Sequence, residues 1–96
     1  MTTHYSINFP SYYDDHSSEI EAKGYFADLT VRFEGTEIRP TIYDAVRLAQ
    51  ECNDAFASNG TYFSAPMMII VPAVTRANIV AAIDALAAGG FADLGA

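Results

Sequence analysis

An α+β fold is predicted for this chain by three observations. Apolar and polar residues alternate at the two-residue period of a strand around Tyr5, Ile7 and Phe9, and again from Tyr25 to Phe33. Two segments, 42–58 and 76–88, carry apolar residues at helical spacing. Between them lies Met67-Met68-Ile69-Ile70-Val71, an unbroken apolar run of strand length. The expected order is β-β-β-α-β-α: a small mixed or antiparallel sheet of about four strands with two helices packed on one face.

The first strand, 3–9, buries Tyr5, Ile7 and Phe9 on one face and stops at Pro10, which has no N–H to give a ladder. Residues 10–22 read as an acidic loop, long for a small domain and therefore suited to a functional role. A strand over 25–33 follows, with Tyr25, Ala27, Leu29, Val31 and Phe33 on one face and Phe26 as an apolar exception on the other. A turn at Glu34-Gly35 sets Phe33 opposite Thr36, Arg32 opposite Glu37 and Val31 opposite Ile38, pairing opposite charges and two β-branched residues. A turn one residue later faces Glu34 with Glu37 and Arg32 with Arg39, two like-charge clashes, so the first register over 36–39 is favoured.

Thr41 then serves as N-cap of a helix with Asp44 at its third position. Ile42, Ala45, Val46, Ala49, Cys52 and Phe56 form the expected buried stripe, and Asn59-Gly60 ends the helix. Residues 67–71 lack polar alternation and are expected to form a central strand covered on both faces. Thr75 caps the last helix, which buries Ile79, Val80, Ile83 and Leu86 and stops at Gly89-Gly90, with Phe91 folding back on Leu86.

Size and composition narrow the function classes. With 96 residues, 51% of them hydrophobic and 18% charged, residues 1–96 are expected to form one ordered domain. The single cysteine excludes an internal disulfide framework and fits a reducing compartment. The first residues lack the basic and apolar regions of a signal peptide, so a cytoplasmic location is expected. Twelve Asp and Glu against five Lys and Arg give a net charge of -7, which repels nucleic-acid phosphates and anionic membranes and favours a basic protein partner.

No constellation of residues names a reaction. Asp14, Asp15, His16, Glu19 and Glu21 lack the central glycine of a calcium loop and the paired histidines or cysteines of a zinc site, so no metal is expected. His16 beside Ser17 and Ser18 matches no nucleophile motif, and Cys52 falls on an apolar stripe as an inert thiol. Gly89-Gly90 follows a helix and lacks the lysine of a phosphate loop. No enzymatic activity, catalytic residue or cofactor is therefore expected.

Of the aromatic pairs Tyr12-Tyr13, Tyr25-Phe26 and Tyr62-Phe63, the first lies in the acidic segment, outside every periodic element. Tyrosines beside carboxylates suit a contact surface, so Tyr12, Tyr13, Asp14, Asp15, Glu19 and Glu21 are the expected partner-binding residues. The expected function is that of a small acidic inhibitor, of toxin-immunity or phage anti-defence type. It would occlude the basic surface of a partner protein such as a nuclease or a nucleic-acid-binding complex. The alternative is an oligomerisation or accessory module without catalytic activity, forming a homodimer through the sheet face that two helices on the other side leave uncovered.

Overall fold

A computed structural model describes residues 4–94. In chain order these form β1 (Tyr5–Asn8), α1 (Tyr13–Lys23), β2 (Tyr25–Phe26), β3 (Thr30–Phe33), β4 (Thr36–Ile38), β5 (Thr41–Tyr43), α2 (Ala45–Ser58), β6 (Met68–Ile70) and α3 (Arg76–Ala88), followed by a 3₁₀ turn at Ala92–Leu94. The class is α+β, as expected, but the strands make two three-stranded sheets in place of one sheet of four. The start of the first expected strand, Thr3, lies outside the described residues.

The first sheet has the order β1-β3-β4 and is antiparallel throughout. Its hairpin takes the register that charge pairing favours: Val31 opposite Ile38, Arg32 opposite Glu37, Phe33 opposite Thr36. Arg32 Nε donates to Glu37 Oε1 at 2.9 Å. Glu34 and Gly35 both have positive φ, 50° and 75°, the conformation that lets a two-residue turn follow the twist of its strands.

The second sheet has the order β2-β5-β6, with β5 and β6 parallel and α2 as the crossover between them. The strand expected over 25–33 is thus two strands in different sheets. The chain leaves the second sheet after Phe26, buries Leu29 completely and joins the first at Thr30. Thr41 is likewise a strand residue and no helix cap. The cap of α2 is Asp44, whose Oδ1 accepts from the Arg47 N–H at 2.8 Å.

Three expectations fail here for identifiable reasons. Residues 13–22 of the expected loop belong to a helix that runs on to Lys23, held down by Tyr13 and Ile20, two turns apart on one side and both buried. Asp14 and Asp15 in its first turn and Lys23 in its last suit the helix dipole, and Gly24 closes it at φ 68°. The run 67–71 is no central strand: among the described residues β6 pairs with β5 alone, and Ile69 is buried while Ile70 remains 45% exposed. Nor do the helices share a face. Phe26, Ile42 and Ile69 line up across the second sheet and join Tyr13, Ile20, Ile79 and Ile83 in the core. Tyr25, Tyr43 and Ile70 line up on the opposite face, where the Arg47 guanidinium of α2 lies 5.4 Å from the Tyr25 ring.

The sequence stripe on α2 is consequently not a core stripe. No residue of α2 is buried; Val46 is 70% and Phe56 50% exposed, and Cys52 is half-buried. α3 keeps its expected cap and half of its expected stripe: Thr75 Oγ1 accepts from the Asn78 N–H and Ile79 and Ile83 are fully buried, whereas Val80 and Leu86 are only half-buried and Ala87 is buried in their place. Phe91 folds back, donating its N–H to Leu86 O at 2.9 Å, and its ring stacks on Phe33 at 4.3 Å. Among the described residues no helix is long and apolar enough to cross a membrane.

Candidate functional site

The residues singled out by charge sit on α1, and the helix decides which of them face outward. At about 100° per residue, Tyr13 and Ile20 point one way and Glu21, Asp14, Asp15 and Glu19 fan over roughly 160° on the other. All four carboxylates are exposed. Asp14 is tied to Arg76 at the start of α3, with Nη2 donating to Oδ1 at 2.8 Å. Glu19 lies 3.4 Å from His16 Nδ1. Asp15 and Glu21 have no ion-pair partner among the described residues.

The two tyrosines separate. Tyr13 is 1% exposed and packs edge-on against Phe9 at 4.8 Å and Phe26 at 5.1 Å. Its side chain is a core element and is not available to a partner, which corrects its place among the expected contact residues. Burial raises the Tyr13 pKa, opposed in part by the Arg76 guanidinium 5.1 Å from the ring centre. The buried Tyr13 hydroxyl has no hydrogen-bond partner among the described residues.

Tyr12, one residue earlier, stays outside. Its hydroxyl donates to Asp28 Oδ2, across the crossover between β2 and β3. That hydrogen bond, aided by partial desolvation and by the charge of Asp28, pushes the Tyr12 pKa up to about 12. The phenol therefore stays protonated, and it braces the start of α1 against the body of the protein while leaving part of the ring in solvent.

Beside this brace runs a groove of about 390 Å³ between α1 and β2, lined by Tyr12, His16, Glu19, Lys23, Tyr25 and Asp28 among others. Its lining sets the Tyr12 and Tyr25 rings beside the Glu19 and Asp28 carboxylates and the Lys23 ammonium, so aromatic area and charges of both signs meet there. Tyr12 and Glu19 thus belong to the groove, while Asp14, Asp15 and Glu21 lie farther round the helix. Asp28, Tyr25 and Arg76 were not among the residues expected. The signal for Tyr25 and Asp28 was Phe26, whose apolar side chain interrupts the polar face of the expected strand where the chain in fact changes sheets; nothing in the sequence pointed to Arg76.

Asp14, Asp15, His16, Glu19 and Glu21 are not gathered about a common point, and among the described residues no three metal-ligating side chains are grouped to hold an ion. Compared with protein-family models, with curated proteins and with solved structures, the chain matches none of them.

Proposed function

We propose that this protein is a non-catalytic acidic inhibitor that binds a basic surface of a partner protein and occludes it, in the manner of a toxin-immunity or anti-defence protein. The observation that carries this reading is the display of Asp14, Asp15, Glu19 and Glu21 on the solvent side of a helix whose other side is locked into the core. A helix fixes the carboxylates relative to one another, so little conformational freedom is lost when they meet a complementary array of Lys and Arg. The Tyr12–Asp28 groove beside them supplies aromatic area to anchor a basic side chain. A net charge of -7 steers such a partner toward the surface over distances comparable with the screening length.

The test is affinity capture from the native host at low and high salt, with mass identification. Wild type should retain a basic protein at low salt and release it at high salt. A variant with Asp14→Asn, Asp15→Asn, Glu19→Gln and Glu21→Gln should retain much less. Equal capture of the same basic protein by both proteins would refute the assignment to α1.

A further inference from the structure

The outer face of α2 is not explained by the acidic surface. Val46, Ala49, Asn53 and Phe56 are all exposed, and their spacing of three, four and three residues is that of the a and d positions in a two-helix seam. Residues flanking such a seam are where partner charge is read. Here they are Ala45, Gln50, Cys52 and Ala57, none of them charged. The charged residues of α2 lie off this arc, and two of them, Arg47 and Glu51, neutralise one another at 2.7 Å.

We propose that this stripe is the interface of a homodimer in which α2 packs antiparallel against α2 of a second copy. Charge selects this occupant. A basic partner would be met by carboxylates along the flanks, which this stripe lacks. A second acidic copy can approach only where its own face is neutral, and in a protein of charge -7 this stripe is such a face. The stripe is also self-complementary about a two-fold axis at Glu51. Val46 then meets Phe56 of the other copy, and Ala49 meets Asn53, so a large side chain faces a smaller one at each end. Antiparallel packing brings opposite helix-dipole ends together, whereas a parallel pair opposes like ends and sets Ala49 against Ala49 over a gap.

Four turns of helix present a seam about 21 Å long. A single-helix seam of this length is smaller than the roughly 1,200–2,000 Å² interfaces of stable complexes, so a weak, concentration-dependent dimer is expected. α1 takes no part in this contact, so loss of dimerisation and loss of the acidic surface are separable.

Sedimentation equilibrium on the full chain from about 1 μM to about 1 mM tests the proposal. The mass should rise from the monomer value of 10.4 kDa toward twice that. Val46→Glu and Phe56→Glu alter exposed side chains, so both should keep the wild-type circular dichroism and melting curve while weakening association at least about tenfold. In a Cys52→Ser background, a mixture of Ala49→Cys and Asn53→Cys chains should oxidise mainly to the mixed disulfide. A wild type that remains monomeric throughout, or folded Glu variants that dimerise undiminished, would overturn the homodimer. Preferential disulfides between identical chains would overturn the antiparallel register.

Discussion

Adjacent tyrosines in one acidic run take opposite fates here because a helix turns about 100° between them. Tyr12 ends as a partly exposed brace on Asp28, and Tyr13 as a core residue whose buried hydroxyl has no partner among the described residues. An unsatisfied buried hydroxyl costs roughly 1–3 kcal/mol, while the ring itself contributes its full apolar area. Tyr13→Phe is therefore expected to raise stability, by about 1 kcal/mol, in urea-induced unfolding. A loss of about 1 kcal/mol or more would show that the hydroxyl is satisfied and that this account of α1 anchoring is mistaken. Neither fate could be read from the sequence, since Tyr12 and Tyr13 are chemically equivalent until the phase of the helix is known.

At the scale of elements, the junction between α1 and α2 concentrates several small devices. Gly24, at φ 68°, ends α1, and its carbonyl accepts from the Asp44 N–H at 2.9 Å. A Cβ there would come within 2.5 Å of the Asp44 carboxylate that caps α2. Gly24→Ala is thus expected to disturb both helix ends at once and to cost about 2–3 kcal/mol by chemical denaturation. An effect under about 0.5 kcal/mol would mean that the two caps are independent. The edge strand gives a second contrast: Ile69→Asp should unfold the protein, since a lone buried charge costs several kcal/mol, whereas Ile70→Asp should leave a cooperative melt. Equal destabilisation by the two would show that both faces of β6 are covered. The β3–β4 register was legible because a single-residue slip sets like charges opposite one another at Glu34 and Arg32. α1 was not, because its only apolar anchors, Tyr13 and Ile20, are too few for periodicity to register. The apolar stripe of α2 was legible as a stripe, but periodicity does not say whether it faces the core; here Ala45, Val46, Ala49 and Phe56 face outward, Cys52 is half-buried, and Ile42 belongs to β5 and the core.

For the whole molecule, the dimensions are slightly larger than those of a compact chain of the same length. The radius of gyration is 14.0 Å against about 12.5 Å for a compact chain of this length. The accessible surface is 5808 Å² against about 5,400 Å². α2 has no buried residue and α1 carries the carboxylate fan, so the two helices offer a neutral and an acidic surface. Composition gives the sign and size of the net charge. Its concentration on one helical face depends on the fold, and the central claim is that this face meets a basic partner. The most direct test is the association rate with the captured partner across a salt series, for wild type and for the Asp14→Asn, Asp15→Asn, Glu19→Gln, Glu21→Gln variant. Wild type should associate at least about tenfold faster at low salt, with the gap closing as salt approaches about 1 M. Equal association rates at every salt concentration would contradict the claim.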